Sequence, residues 1–382
     1  MKQRSSRLPS LDALRGLIVM LMALDHAVFF VAKKHPLEYW GNPLPQHQDA
    51  LWFLTRLSSH ICAPGFFFLM GCSMVLFAAS RRKRGWSESR ITRHFLTRGL
   101  LLLVMQQFVV NPAWFLGTLG STEVLGGAGP PGGGAEVVVN LDVLYGLGVC
   151  MVVMSLLLRV NGCIVLVTSL AALVVAQVLT PQPDQVDRLY SPLLRLLLIP
   201  GQTGLLLVNY PVVPWLGVTG LGFVCGRQVL DNRDRAFRWL PLVGGVSLAL
   251  FVLVRGVGGF GNLHTPSAGD WIAFLNLTKY PPSLAFIMFT WGLVLLLLGL
   301  LARYAASLGQ RHPLLTFGTT ALFFYTVHLY VYALSGFAFP AGAGLASTYL
   351  VWLVGLALLY PLCTWYGDFK RRTAPDSAWR LF

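Results

Sequence analysis

Asp25 and His26 close one long apolar run, and His60 opens the next. Two imidazoles and a carboxylate at one level can take up, share and return a proton near neutral pH, which is the work of a general base. Ionisable groups flanked by a membrane-length apolar segment are costly and mark functional sites by default. Asp25 and His26 alone would fit an interfacial pair facing headgroups and water. A second histidine at the same level turns the balance toward His26 and His60 as catalytic groups, with Asp25 in support. A metal would use the same atoms, but the His-Glu-x-x-His spacing of a helical zinc pair is missing, and no metal site is expected.

Other polar residues in apolar surroundings extend the set. Asp142 precedes one apolar window, Lys279 precedes another, and His328 ends Phe323-Phe-Tyr-Thr-Val-His328. Lys279 is the only lysine between Lys83 and Lys370, a candidate for binding an anionic or hydroxylated substrate. Asp142, Trp215 and His328 are candidates for the same substrate site. Against this, Asn209-Tyr-Pro-Val-Val-Pro-Trp215 also fits an interfacial aromatic belt, and a lone histidine in a span is as often packing as working. At the opposite level, Asp12 and Arg15 share the opening turn of the first helix, three residues apart. A carboxylate favoured by the helix dipole beside a snorkelling arginine accounts for that pair without any ligand.

The elements that must position these groups are membrane spans. Of 382 residues 55% are hydrophobic and 12% charged, with mean hydropathy +0.65, whereas soluble domains carry about a quarter charged residues. Windows approaching the ~20 apolar residues that cross a bilayer fall at 13–32, 61–80, 95–116, 138–158, 162–180, 211–227, 238–257, 283–302, 316–335 and 342–363. They predict an all-α polytopic transmembrane bundle of about ten spans. The net charge of +14 comes from Lys and Arg clustered beside the windows, so it reads as topology and not as nucleic-acid binding. With ten spans, Lys2 to Arg7, Arg81 to Arg98, Arg227 to Arg238, Arg303 and Arg311, and Lys370 to Arg372 all fall on one side. The positive-inside rule makes that side, with both termini, cytoplasmic.

Residues 191–209 are apolar as well, but an eleventh span would invert every later charge assignment. A re-entrant or interfacial segment broken at Pro200-Gly201 is expected there. The glycine-rich 117–134 reads as an outer loop, because it lacks the Lys-Ser/Thr of a phosphate cradle. The chain is read as one membrane domain over 1–382 with cytoplasmic tails at 1–12 and 364–382, its first apolar segment retained as a helix. The six cysteines have no metal or disulfide spacing and suit packing positions.

Several blocks, taken in order, resemble one family. They are Arg7-Leu-Pro-Ser-Leu-Asp-Ala-Leu-Arg-Gly16, Met22-Ala-Leu-Asp-His26, Ser59-His-Ile-Cys-Ala-Pro64, Phe66-Phe-Phe-Leu-Met-Gly71, Arg93 to Leu103, Val143-Leu-Tyr-Gly-Leu-Gly148, Tyr210-Pro-Val-Val-Pro-Trp215, Lys279-Tyr-Pro-Pro-Ser283 and Phe323 to His328. Together they look like the bacterial integral-membrane family related to the catalytic domain of heparan-alpha-glucosaminide N-acetyltransferase, over most of the chain. The resemblance implies an acyltransferase of the bacterial inner membrane. It would take an acetyl group from cytoplasmic acetyl-CoA and deliver it to a hydroxyl or amine of a sugar or glycan acceptor on the outer face. It implies a histidine base, His26 or His60; with His26 as base, Asp25 supports it and His60 polarises the carbonyl or shares the proton, while Arg15, Arg93 and Arg98 hold CoA phosphates, which a guanidinium fork grips bidentately. A related membrane O-acyltransferase family likewise has an Arg-Gly at the start of its first helix and a histidine near its end, matching Arg15-Gly16 and His26. In the family's lysosomal member an asparagine stands where this chain has His26, and the catalytic histidine follows in the loop, where this chain has His35.

The expected partners are the lipid bilayer and the sugar acceptor, without nucleic acid; a homodimer stays open. Two other classes fit parts of the pattern. A proton-coupled transporter would also show buried histidines and proline-broken spans, but no internal repeat is visible and the ionisable groups stand at helix ends. An inactive membrane scaffold would share the whole pattern.

Overall fold

The computed structural model describes residues 8–34, 36–47, 49–119, 139–181, 185, 190–266, 269–374, 377 and 379; His35 and most of the glycine-rich run lie outside them. The described chain is a bundle of helices: α1 (Pro9–Phe30), α2 (Ala50–Ser59), α3 (Cys62–Arg82), α4 (Glu88–Met105), a π-helical turn (Gln106–Val110), α5 (Asn111–Leu119), α6 (Val143–Leu156), α7 (Gly162–Leu179), α8 (Pro192–Leu197), α9 (Val212–Asp231), α10 (Arg233–Val257), α11 (Trp271–Leu275), α12 (Leu284–Tyr304), α13 (Pro313–Thr319), α14 (Ala321–Ser335) and α15 (Leu345–Arg372). The all-α polytopic reading holds. Eight described helical stretches are long and apolar enough to cross a membrane. The two expected windows outside that set are α6, which has 14 residues, and α9, whose 20 residues are diluted by Gly217, Gly220, Gly222 and Gly226. Both pack against α3 inside the bundle, where a helix does not need a lipid-facing apolar surface.

α1 is the axis, in contact with α2, α3, α12, α13, α14 and α15. Its approach to α13 is so close that a Cβ on Gly16 would lie 1.9 Å from the Leu314 carbonyl oxygen, and one on Gly318 1.8 Å from that of Asp12. Small residues permit such backbone contact between membrane helices. The window at 316–335 is in fact two helices broken at Thr320, and the Gly318 carbonyl beside the break accepts from Arg15 Nη1 at 3.1 Å.

Residues 191–209 do not span. After α8 the chain turns into a hairpin, β2 (Gly201–Thr203) and β3 (Leu206–Val208), and β3 also pairs in parallel with β1 (Val139–Leu141). The break thus falls at Pro200-Gly201, but the backbone groups are satisfied by a small sheet and not by a re-entrant helix.

Three loop features fix the end of the bundle that carries His26. Glu38 to Trp40 lies against Lys279-Tyr280, with the Glu38 carbonyl accepting from both amides at 3.1 Å and Trp40 N donating to the Tyr280 carbonyl at 2.9 Å. Arg255, at the end of α10, directs its guanidinium donors to the carbonyls of Ala273, Phe274, Asn276 and His264 and to Asn262 Oδ1, at 2.5–2.9 Å. A planar five-donor group is suited to clamping such a loop. Gln106, in the π-helical turn, accepts from Leu144 N at 3.2 Å and so supports the start of α6. Asp142 is the N-cap residue of α6.

Candidate functional site

Two chambers lie along α1. The larger, of about 410 Å3, is lined at one end of the bundle by Asp12, Arg15, Arg98 and Lys370, and deeper by apolar residues of α3, α4, α6 and α14. Arg15 is held by Asp12 Oδ1 at 2.8 Å and by Ser73 Oγ at 3.0 Å. Arg98 sits opposite, and its buried Nε has no hydrogen-bond partner among the described residues. A guanidinium desolvated without a partner is expensive, so this wall is suited to an anion. Arg93, expected beside Arg98, is exposed and borders a different groove with Glu88, Arg159 and Leu156.

The smaller chamber, of about 220 Å3, is lined by Asp25, His26, Trp114, Asn140, Asp142, Lys279 and four tyrosines, Tyr39, Tyr210, Tyr280 and Tyr325. The structure therefore brings together Asp25, His26, Asp142 and Lys279 from three separate parts of the chain. Lys279 Nζ lies 5.1 Å over the Tyr280 ring, and the Asn140 Oδ1 is buried without a hydrogen-bond partner among the described residues. Tyr39 donates its hydroxyl to Asn209 Oδ1.

His26 Nδ1 stands 2.6 Å from His328 Nε2, with the rings nearly parallel at 14°. His328 Nδ1 is 3.0 Å from the Phe324 carbonyl, which can only accept. For neutral rings this fixes the tautomers. His328 carries its proton on Nδ1, its Nε2 accepts from His26 Nδ1–H, and His26 presents an unprotonated Nε2, the nitrogen a general base needs. The expected substrate residue His328 thus sits behind His26, fully buried and within hydrogen-bond distance of it.

Asp25 has a different neighbour from the one expected. Both of its oxygens accept from Arg56 Nη1, at 2.8 and 2.9 Å, and Oδ1 also accepts from Ser59 Oγ at 3.0 Å. Arg56 in turn grips Glu38 bidentately at 2.7 and 2.8 Å. Burial alone would raise the Glu38 carboxyl, but the Arg56 charge and hydrogen bonds, with His60 adding to them, hold it well below the usual carboxylate range. His60 is 2% exposed, 3.6 Å from Glu38 Oε1 and edge-on to Phe286; it borders neither chamber. Removing one partner of such a buried pair generally costs about 3–5 kcal/mol, so this cluster ties α1, the loop at Glu38 and α2 together under the chamber floor. Trp215 is likewise a core residue, wholly buried and stacked on Phe67 at 4.7 Å.

Glu38 and Arg56 escaped the sequence reading because they lie between two apolar windows, where charges look solvated. Nothing in the local sequence separates them from Lys33, Lys34 or Asp49 in the same connection. Among the described residues no group of three or more His, Cys, Asp or Glu is arranged to hold a metal. No curated protein matches the chain. Residues 7–255, which carry His26, Arg98 and Asp142 but not Lys279 or His328, match the family described as heparan-alpha-glucosaminide N-acetyltransferase, catalytic. With two apposed chambers inside a bundle of apolar helices and about two thirds of its length matched, the chain belongs to that membrane acetyltransferase family.

Proposed function

We propose that this protein transfers an acetyl group from acetyl-CoA, bound from the cytoplasmic side, to a hydroxyl or amine of a sugar or glycan on the outer face. The observation that carries the reading is the pair of chambers. One is walled by Arg15, Arg98 and Lys370 and the other by His26, and Phe66, Val143 and Tyr325 border both. Arg15 and His26 are eleven residues apart on α1, about 16 Å at helical rise, roughly half of the ~30 Å bilayer core. A pantetheine arm is long enough for that distance. Arg98 and Arg15 hold the CoA phosphates, and the apolar depth of the first chamber takes the arm. His26 Nε2 accepts the proton of the acceptor O–H or N–H as its lone pair attacks the thioester carbon. When the C–S bond breaks, His26 returns that proton to the CoA sulfur, so acetylated acceptor and free CoA leave. Lys279, Asp142, Asn140 and the surrounding ring faces are the mixture of polar groups and aromatic surface that a sugar fills.

The binding test uses Arg98→Lys, which keeps the charge and removes the planar fork. Affinity for acetyl-CoA should fall about 10- to 100-fold, the worth of one or two charge-assisted hydrogen bonds, while short thioesters lacking the nucleotide are affected less. Unchanged calorimetric affinity would place the donor elsewhere. The orientation, an integral protein of the bacterial inner membrane with both termini cytoplasmic, rests on the basic connections at the Arg98 end. In a cysteine-free background, an impermeant thiol reagent should label a cysteine at exposed Gly259 in intact cells and spare one at exposed Ser87. Labelling at Ser87 with Gly259 spared would reverse that assignment, and equal labelling at both would reject it.

A further inference from the structure

The partition between the two chambers is built from Phe66 on α3, Val143 at the start of α6 and Tyr325 on α14. Any acyl group passing from the arginine side to His26 crosses this point. Two of the three side chains are hydrocarbon, so among the described residues Tyr325 brings the only hydroxyl to the partition. Its ring is 6% exposed, and its hydroxyl makes no hydrogen bond among the described residues. Tyr325 is three residues before His328 on α14, hence on the same helix face, with the two rings 5.6 Å apart and inclined at 62°. The histidine behind the base and the hydroxyl at the partition are thus delivered by one rigid turn.

We infer that Tyr325 is a catalytic residue, the hydrogen-bond donor that holds the acyl oxygen as it becomes negative. The inference rests on the acyl-transfer reading above and adds to it a group from outside the matched part of the chain. In the step, a bond forms between the acceptor heteroatom and the thioester carbon, and the C=O electron pair moves onto oxygen. Tyr325 donates its O–H to that oxygen without giving up the proton. As the carbonyl re-forms, the C–S bond breaks, the electron pair leaves with sulfur, and the acceptor proton travels by way of His26. A donor preorganised at the developing oxyanion in a water-poor site is commonly the largest single electrostatic contribution to such a reaction. Phe66 and Val143 exclude water around it, which strengthens that bond.

The test compares wild type, Tyr325→Phe and Tyr325→Ala in liposomes, measuring acetyl-CoA affinity, acceptor-dependent CoA release and acceptor-independent hydrolysis. Tyr325→Phe preserves the ring and loses the hydroxyl. Its kcat should fall ~10²- to 10³-fold, the loss typical of removing one oxyanion donor, while acetyl-CoA binds as in wild type. A role limited to filling the partition makes the opposite forecast: Tyr325→Phe stays within threefold of wild type and only Tyr325→Ala leaks, with raised hydrolysis. That pattern would overturn the assignment of Tyr325 and leave the acyl-transfer reading standing. Wild type that neither binds acetyl-CoA nor releases CoA would remove that reading, and the assignment with it. If Tyr325→Phe is unstable in detergent, incorporation of a fluorotyrosine with a more acidic phenol at Tyr325 gives a second measure: kcat should change with phenol acidity if the hydroxyl acts, and stay constant if it only packs.

Discussion

Replacing His26 with alanine should leave folding and acetyl-CoA binding intact and lower acyl transfer by roughly 10²- to 10⁴-fold, the range general-base catalysis supplies. The expectation follows from position. His26 borders the smaller chamber, and its Nδ1 is engaged with His328 at 2.6 Å, so the reactive nitrogen is the one turned away from that contact. His60→Ala provides the internal contrast, because His60 is buried against Glu38 and Phe286 and reaches no chamber. It should lower the thermal midpoint of the detergent-solubilised protein and leave turnover per folded molecule near the wild-type value. Asp25→Asn should resemble His60→Ala more than His26→Ala, since the Asp25 carboxylate is committed to Arg56 and Ser59. The measurement is CoA release per folded protein for the three variants. Full turnover by His26→Ala, or a catalytic loss confined to His60→Ala, would move the base away from α1.

How far these roles could be read in the sequence depended on what kind of signal each residue carried. His26, Asp142 and Lys279, which line one chamber, stand out as candidates in the sequence because each is an ionisable group at the edge of an apolar window, and the energetic cost of that placement is visible without a fold. The bundle was legible for the same reason, since span length is set by the bilayer and not by tertiary contacts. Trp215 was misleading: an interfacial belt, a substrate wall and a packed core all choose tryptophan, and only the stack on Phe67 identifies the core. Arg93 and Arg98 could have been separated, because five residues on a helix are about 140° apart around the axis. The Arg56 cluster and the small sheet at 201–208 could not, because both depend on which distant loops meet. A short apolar segment with a proline-glycine break has the same composition whether it re-enters as helix or folds as a hairpin.

His328 offers the sharper test of the site, because two explanations of it order the same pair of variants oppositely. If the residue is simply a packed side chain, 0% exposed among Phe324, Tyr325 and Tyr332, then His328→Leu should be tolerated and His328→Gln should be worse. A buried amide without full hydrogen bonding is destabilising by about 1–3 kcal/mol. If His328 Nε2 instead accepts from His26 Nδ1–H, the leucine variant removes the acceptor that fixes the tautomer of His26. Its proton can then sit on the nitrogen facing the acceptor, where it blocks proton uptake. Glutamine can return an oxygen near the position of Nε2 and restore part of the bond. The relay therefore predicts that His328→Leu loses about 10²-fold or more in kcat, approaching the loss from removing the base itself, with acetyl-CoA affinity unchanged, and that His328→Gln is the more active of the two. Normalising turnover to folded protein separates this from stability. Leucine more active than glutamine on that scale would reduce His328 to packing and leave His26 to act without a second imidazole behind it.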